Sequence, residues 1–265
     1  MISFIVLVTI GYLMGSISSA VLVCKMFSLP DPREHGSKNP GATNVLRIAG
    51  KQFAVMVMVA DILKGTLPVL LGQLVGADST TLGFIALAAV VGHMYPVFFG
   101  FKGGKGVATT IGALLGFQFM VGILVIAVWL IIAKFFRYSS LASIVSITCA
   151  PIFSLMIVGQ ITVFPPLFII TILVLYKHRE NITRLIDGVE PTFTLKSNIL
   201  HDVMVSPPVN PHEMVVKGDK VVPAQEAVKT PAKKAAAKPK AKKASDAEKP
   251  AKKKEAAKPK KAKKE

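Results

Sequence analysis

The stretch Gly100-Phe-Lys-Gly-Gly-Lys-Gly-Val-Ala-Thr-Thr110 lies between an apolar run that ends near Phe99 and another that begins near Val107. Glycine leaves backbone N–H groups unshielded and free to adopt positive φ, so a Gly-Gly-Lys-Gly turn that opens into a helix can direct several donors at one anion. Lys102 and Lys105 add positive charge to this turn. The stretch therefore predicts a phosphate-binding turn between two apolar helices, at a membrane surface.

The residues of the turn alone leave a second interpretation open. A glycine-rich turn with lysines also serves simply to join two membrane helices and to hold their cytoplasmic ends by charge. ATPase chemistry is not indicated, because Gly106 follows Lys105 where an ATP-binding loop has Ser or Thr after its lysine. The rest of the chain has to decide between these interpretations.

Composition points to an all-α polytopic membrane protein. The chain has 265 residues, 52% of them hydrophobic, and the apolar residues form long runs. The net charge of +17 is concentrated at one end, since residues 207–265 contain 18 lysines against 7 acidic residues. We therefore expect a transmembrane domain over residues 1–200 and a disordered Lys/Ala/Pro-rich cytoplasmic tail over residues 201–265.

The basic tail predicts a partner of negative charge. Lysine-rich segments bind anionic lipid headgroups with about 1 kcal/mol per charge near the surface. They also bind nucleic acid without sequence preference. Because the tail is tethered to a membrane domain, we favour anionic lipids of the inner leaflet over nucleic acid.

The apolar runs predict a bundle of seven transmembrane helices, two of them short. One helix over residues 107–136 would rise about 42 Å, which exceeds the apolar core of a bilayer. It would also place Lys134 and Arg137 on the opposite side from Lys102 and Lys105, against the positive-inside rule. A turn near residues 116–119 avoids both problems. Seven spans then place the uncharged N-terminus outside and the C-terminus in the cytoplasm. The expected spans are residues 2–27, 53–74 and 80–99, two short spans within residues 107–136 that meet near residues 116–119, and residues 141–159 and 164–176.

Four segments then lie on the cytoplasmic side, and every donor-rich stretch falls within them. Segments that only set the orientation of the protein in the membrane need no polar residues other than lysine and arginine. These segments also bring Ser, Asn, Thr and His side chains to one face, which is typical of a site for an anionic substrate. The segments are residues 33–47, 102–110, 137–143 and 177–190.

Several of these polar residues have simpler interpretations that stay open. Ser140 and Ser143 stand near a helix start, where serine is a common N-cap. Asp61 and Lys64 are three residues apart within one span, so they predict an ion pair on one helix face, with support of the cytoplasmic site as the alternative. His93 precedes the turn as either a structural or a reacting histidine.

Three motifs in order resemble a known family. They are Gly36-Ser-Lys-Asn-Pro-Gly-Ala-Thr-Asn-Val-Leu-Arg47, then Gly92-His-Met-Tyr-Pro96 with Phe101-Lys-Gly-Gly-Lys-Gly-Val-Ala-Thr109, and Lys177-His-Arg-Glu-Asn-Ile-Thr-Arg-Leu185. Over residues 1 to about 195 the chain resembles the bacterial membrane glycerol-3-phosphate acyltransferases that use acyl phosphate as donor. The resemblance implies acyl transfer to the 1-hydroxyl of glycerol 3-phosphate, which yields lysophosphatidic acid and phosphate as the first step of phospholipid synthesis. It also implies a seven-span bundle in the inner membrane with a cytoplasmic site.

The resemblance also implies which residues act. Catalytic roles fall on Ser37, Arg47, Lys105, His178 and Asn181. Substrate-binding roles fall on Asn44, Gly103, Gly104, Gly106, Thr109, Ser140 and Ser143, and which of the two serines matches the family's binding serine stays open. Lys38 departs from the family, where many relatives have glycine. No metal or other cofactor is implied, because carboxylates are few and a cationic site suits phosphate without one.

A transporter of a phosphorylated solute is the alternative function. The donors cluster on one face, however, and the sequence shows no internal repeat of the kind that builds a midplane transport site. Acyltransferases that use acyl-CoA or acyl-carrier protein are disfavoured for another reason. None of the five histidines is followed five positions later by aspartate, the His-x4-Asp pattern of those enzymes.

Overall fold

The computed structural model describes residues 1–192, 214–217 and 220–223. Within residues 1–192 the regular secondary structure consists of helices, and the later described residues form two antiparallel strands in which Lys217 pairs with Lys220. The elements are α1 (Ile2–Gly15), α2 (Ser19–Met26), α3 (Ala42–Ile48), α4 (Lys51–Leu74), α5 (Ser79–Met94), α6 (Val107–Phe117), α7 (Phe119–Phe136), α8 (Ser139–Val158), α9 (Phe164–Lys177), α10 (Arg179–Ile186), β1 (Met214–Lys217) and β2 (Lys220–Pro223).

The strands differ from the disorder that composition predicts for residues 201–265. Each strand carries a pair of valines, and only Gly218 and Asp219 separate the strands in the sequence. A two-residue Gly-Asp segment between apolar pairs is a hairpin signal, which a reading of the tail by its overall charge misses. The Lys/Ala/Pro-rich repeats of the tail lie outside the described residues.

The described helices have the lengths of a polytopic membrane protein, as composition predicts. Four of them are long and apolar enough to cross a membrane: α4, α5 with the short 3-10 turn Val97–Phe99 that follows it, α7 and α8. The number rises to six if two bent pairs each count as one span. These pairs are α1 with α2, bent by 40°, and the chain from Ile161 to Lys177 with α10, bent by 59°. The remaining apolar helix, α6, has only 11 residues.

The first apolar run is broken rather than continuous. The sequence predicts one helix over residues 2–27, whereas the structure ends α1 at Gly15 and starts α2 at Ser19. The Ser16 hydroxyl donates to the Tyr12 carbonyl at 2.8 Å, and Lys64 Nζ on α4 donates to the Ile17 carbonyl at 2.8 Å. Groups inserted into the backbone ladder are a usual cause of helix bends, and one of these two comes from a different helix.

The chain reverses between α6 and α7, where the sequence predicts a turn. Gln118 has extended backbone angles, with φ −150° and ψ 106°. A Cβ placed on Gly122 would lie 2.6 Å from the side chain of Leu115. In one continuous helix these residues would stand about 10 Å apart along the axis. The two helices therefore pack side by side.

Close packing between α4 and α6 fixes the start of α6. A Cβ on Gly65 would collide with the backbone of Thr109, and one on Gly112 would collide with the backbone of Ile62. Small residues that let helix backbones approach are the usual packing device in membranes. The N-terminus of α6 is therefore held against α4, with the buried Val90 and Met94 of α5 in the adjoining core.

Candidate functional site

The glycine loop, residues 100–106, connects the 3-10 turn after α5 to α6. Gly100 and Gly106 have φ values of +64° and +84°, which favour glycine. Gly103 and Gly104 are needed for a different reason, since a Cβ on either would overlap His93. The Gly104 N–H donates to the His93 carbonyl at 3.2 Å. The loop is thus pressed onto the end of α5, and a side chain at these positions would lift it away.

A hydrogen-bonded cluster joins this loop to α10 and the segment after it. Lys105 Nζ donates to Oδ1 of Asn181, and Asn181 Nδ2 donates to Glu190 Oε1 at 2.6 Å. Arg184 Nε donates to Glu190 Oε2 at 2.7 Å. We call these four residues the Lys105 cluster. Because an ammonium group only donates and a carboxylate only accepts, the orientation of the Asn181 amide is fixed by its two partners.

The pKa values in the cluster follow from burial and charge. Burial, with the nearby Arg184 guanidinium, lowers the pKa of Lys105 to about 8, against an opposing effect of Glu190. Burial raises the pKa of Glu190, but hydrogen bonds from Ser140, Asn181 and Arg184 together lower it below its ordinary value. At neutral pH the cluster therefore contains two cations and one carboxylate, and a bound anion would favour the charged form of Lys105.

His178 lies at the bend between α9 and α10 and is buried. Its Nδ1 is 2.8 Å from the Val174 carbonyl oxygen, which can only accept, so Nδ1 carries the hydrogen. Burial lowers the pKa of His178 to about 4. The ring is therefore neutral at pH 7, and its Nε2 is an unprotonated acceptor.

The first motif folds into a loop that leads into α3. Asn44 on α3 is buried, and its Oδ1 accepts from the Ser37 N–H at 2.8 Å. Its Nδ2 donates to the carbonyls of Pro32 and His35 at 2.9 and 3.0 Å. The polar atoms of Asn44, predicted to bind substrate, are thus occupied within the loop. Ser37, in the same loop, is exposed.

Arg47 is exposed on α3 and lies close enough to Lys105 to lower the pKa of that lysine. Within the described part of the chain, neither the Arg47 guanidinium nor the Ser37 hydroxyl has a hydrogen-bond partner. The structure therefore brings the first motif close to the glycine loop, where Arg47 adds a second positive charge near Lys105.

The two serine alternatives have different surroundings. Ser143 Oγ donates to the Ser139 carbonyl at 2.7 Å and accepts from Trp129 Nε1 at 3.0 Å. Ser140 is buried beside Glu190 and contributes to lowering the pKa of that carboxyl, although its geometry falls short of a full hydrogen bond. Of the two, Ser140 is the one that lies at the Lys105 cluster.

Two members of the cluster, Arg184 and Glu190, are absent from the residues predicted to form the site. Asn181 and Arg184 are three residues apart on a polar helix and therefore share one face. This spacing in the sequence could have predicted that Arg184 belongs to the site. Glu190 follows the helix and gave no such signal. Thr109 was predicted to bind substrate, but its hydroxyl is buried 3.1 Å from His93 Nδ1.

A cavity of about 660 Å³ lies beside the glycine loop, between the end of α2 and the 3-10 turn. It contains none of the Lys105 cluster, and its lining combines apolar and basic side chains, among them Leu22, Phe98, Lys25 and Lys102. No three His, Cys, Asp or Glu side chains within the residues described lie together in a way that could hold a metal ion.

The chain is similar to known proteins in both sequence and fold. The family model described as glycerol-3-phosphate acyltransferase matches residues 5–188. The glycerol-3-phosphate acyltransferase of Legionella pneumophila (strain Lens) is 58% identical over 243 residues, which cover 88% of each chain. That of Vibrio cholerae (strain El Tor Inaba N16961) is 49% identical over 185 residues, covering 70% of this chain and 88% of the relative.

Solved structures of PlsY (YgiH), an integral membrane glycerol 3-phosphate acyltransferase, share the fold. The glycerol 3-phosphate form is 44% identical with a TM-score of 0.68, covering 72% of this chain and 96% of that one. The lysophosphatidic acid form is 42% identical with a TM-score of 0.67, covering 75% and 99%. By the family model, the sequence relatives and the shared fold, the chain belongs to the glycerol-3-phosphate acyltransferase family.

Proposed function

We propose that the protein transfers a fatty acyl group from an acyl phosphate to the 1-hydroxyl of sn-glycerol 3-phosphate. The products are 1-acyl-glycerol 3-phosphate (lysophosphatidic acid) and phosphate, so the reaction begins phospholipid synthesis. The observation that carries this proposal is the half-buried ammonium group of Lys105 at the end of the glycine loop, with Arg184 and Arg47 nearby. The relatives solved in glycerol 3-phosphate and lysophosphatidic acid forms support the same acceptor and product.

The reaction asks little covalent chemistry of the protein. An acyl phosphate is an activated mixed anhydride, so no acyl-enzyme intermediate is needed. The glycerol oxygen attacks the acyl carbon, the bond from that carbon to the phosphate oxygen breaks, and phosphate leaves with the electron pair. The protein has to hold two phosphates close together, and Lys105, Arg47 and the amides of the glycine loop offset their repulsion.

The proton of the attacking hydroxyl goes to a phosphate oxygen of the substrates in this proposal. His178 is the alternative acceptor. Its pKa of about 4 makes it a weak base at neutral pH, because little driving force remains for taking up a proton. A phosphate monoester has a second pKa of about 6, which lies closer to neutral pH, so it is a better base here than His178. In this scheme His178 Nε2 accepts a hydrogen bond from a substrate hydroxyl and orients it.

We place the protein in the bacterial inner membrane with seven spans, counting α6 as a short crossing of about 16 Å. The N-terminus is then outside, and the Lys105 cluster and the C-terminus are cytoplasmic. The basic residues at the ends of the helices support this orientation, since Lys105, Arg137 and Lys177 then share one side. The crossing is tested in a protein without Cys24 and Cys149 that carries a single new cysteine at one end of α6 or at the other. Each cysteine is labelled with a reagent that is added outside the cell.

We assign catalysis to residues 1–200 and a separate binding role to the tail, residues 201–265. The tail carries many lysines on a segment tethered to the membrane, which supports binding to anionic lipid headgroups rather than to nucleic acid. Replacement of the lysines after residue 230 by glutamine should abolish capture of vesicles that contain acidic lipids and leave acyl transfer unchanged. Retained capture would overturn the assignment.

The proposed function is tested with purified protein in lipid, supplied with glycerol 3-phosphate and either palmitoyl phosphate or palmitoyl-CoA. Release of phosphate and formation of lysophosphatidic acid are followed together. Turnover with the acyl phosphate alone, lost in Lys105→Ala and in Arg47→Ala, is the expected result. Turnover with neither donor would overturn the proposal and favour the transporter alternative.

A further inference from the structure

A chain of buried polar groups connects the start of α6 to the break between α1 and α2. Thr109 Oγ1 on α6 is 3.1 Å from His93 Nδ1 on α5, and the same Nδ1 is 3.5 Å from Asp61 Oδ1 on α4. Asp61 forms an ion pair with Lys64 at 2.7 Å, and Lys64 donates to the Ile17 carbonyl at 2.8 Å. The relative exposures are 0% for Thr109, 6% for His93, 2% for Asp61 and 7% for Lys64.

Part of this chain has a structural explanation. Lys64 satisfies the Ile17 carbonyl that the helix break leaves without its usual partner, and Asp61 neutralises the buried charge of Lys64. The ion pair expected from the i, i+3 spacing therefore forms and faces the bundle. Neither of these two structural roles, of Lys64 and of Asp61, requires His93 or Thr109. The contacts of His93 and Thr109 with this series of buried polar groups therefore need another explanation.

The position of the His93 ring is fixed by its neighbours. Thr109 Oγ1 is hydrogen-bonded to Nδ1 of His93 at 3.1 Å, and Asp61 Oδ1 lies 3.5 Å from the same nitrogen. The Nδ1 edge of the ring is therefore held between α4 and α6. Its Nε2 side faces away from Asp61, towards the glycine loop.

Both the ring and the backbone of His93 contact the glycine loop just before Lys105. The His93 carbonyl accepts from the Gly104 N–H at 3.2 Å. A Cβ on Gly104 would overlap His93 Nε2, and one on Gly103 would overlap the His93 carbonyl. The loop therefore takes its position from His93 on one side, while its Lys105 reaches Asn181 on the other.

We propose that His93, held by Asp61 and Thr109, is a positioning residue that sets the glycine loop so that Lys105 and the loop amides meet the substrate phosphate. The inference rests on the proposed function, because it concerns the same phosphate site. It assigns the buried groups of α4, α5 and α6 a role in substrate binding that a purely structural network does not have. Loss of the link to Thr109 or Asp61 should then weaken substrate binding in protein that is correctly folded.

Thr109 provides a clean test because valine has nearly the shape of threonine without its hydroxyl. Thr109→Val should raise the KM for glycerol 3-phosphate or palmitoyl phosphate about tenfold, the effect of one lost hydrogen bond, with kcat changed less than about threefold. Thr109→Ser keeps the hydroxyl and should restore the wild-type KM. Thr66→Val is the matched control, since Thr66 Oγ1 joins α4 to α6 through the Gly112 carbonyl at 2.8 Å but forms no hydrogen bond to His93 or the loop.

The set of variants also separates this inference from the proposed function. No turnover by the wild-type protein would overturn the function. Wild-type turnover with an unchanged KM in Thr109→Val, or an equal rise in Thr66→Val, would overturn the positioning role. The double variant Asp61→Leu with Lys64→Met provides a second test, because it removes both the acceptor that faces His93 and its counter-charge. It should raise the same KM about tenfold, and a normal KM in this folded variant would also overturn the inference.

Discussion

The ammonium group of Lys105 donates a hydrogen bond to Oδ1 of Asn181, a residue 76 positions further along the chain. Asn181 in turn donates to Glu190, so a neutral amide separates the cation from the buried carboxylate. A direct Lys–Glu ion pair at this place would satisfy the positive charge of Lys105. The amide instead holds Lys105 in position and leaves its charge available, while Arg184 pairs with the carboxylate.

Replacement of this amide by a charge should disable the site. Asn181→Asp has nearly the same shape, but its carboxylate would pair with Lys105 and repel Glu190. We expect kcat/KM to fall by about 100-fold or more, because one full ion pair then competes with the substrate phosphate. Asn181→Ala removes the amide without adding charge and should cost less than Asn181→Asp. An equal loss in both variants, measured at the same yield of folded protein, would contradict the role of charge.

The pKa of Lys105 predicts how activity depends on pH. Burial lowers this pKa to about 8, and the protonated form is the one that binds phosphate, so the free protein loses the required charge as pH rises through about 8. We expect kcat/KM to fall above pH 8 with the loss of one proton. Lys105→Arg keeps its charge at every accessible pH and should show no fall between pH 8 and 9.5, at a lower absolute rate. An identical pH profile for both proteins would assign the fall to another group.

Much of the fold follows from hydropathy and spacing along one helix. The reversal at Gln118 and the ion pair of Asp61 with Lys64 needed only the length of an apolar run and an i, i+3 spacing. The break after Gly15 did not follow, because the group that satisfies the Ile17 carbonyl comes from α4. A local sequence pattern does not reveal a hydrogen bond that another helix supplies.

The site was predictable as a set of segments but less so as a set of contacts. The sequence placed Lys105, His178 and Asn181 on one face, and the structure gathers them at the same helix ends. The sequence did not indicate that Asn44 and Thr109 have their polar atoms occupied inside the protein. Motifs name residues that are needed, whereas the direction of each side chain depends on tertiary packing.

Glu190 should contribute to stability in a way that depends on pH. Its pKa is lowered in the folded protein, so its contribution is present above the ordinary value of 4.5 and is lost as pH falls through the folded value. Glu190→Gln weakens the bonds from Asn181 and Arg184, and we expect the free energy of unfolding at pH 7 to fall by about 1–3 kcal/mol. Thermal unfolding in detergent between pH 3.5 and 7 measures both effects. A difference between the two proteins that does not shrink at the acid end would refute the assignment.

The glycine loop predicts a graded response to alanine. A Cβ on Gly103 would meet the backbone of His93 and Met94, which cannot move without shifting α5, whereas a Cβ on Gly104 would meet the His93 ring. We therefore expect Gly103→Ala to raise the KM for a phosphate substrate more than Gly104→Ala does, with at least about tenfold for the former. Gly41→Ala is the control, because its Cβ would meet only the flexible side chain of Asn39. The reverse order for Gly103 and Gly104 would show that the loop does not rest on the backbone of α5.

Removal of the His178 imidazole distinguishes the two proposed proton acceptors. Nε2 is unprotonated down to pH about 4, so the neutral ring is constant across the pH range of an assay and cannot produce a change in rate near pH 6 to 7. If a substrate phosphate takes the proton, His178→Ala loses only orientation of the hydroxyl and should retain measurable turnover at saturating substrates, reduced by about 10- to 100-fold. The purified variant is assayed for kcat and, separately, for binding of glycerol 3-phosphate. Complete loss of turnover with binding intact would instead make His178 the base, since an oriented hydroxyl alone cannot account for an absolute requirement.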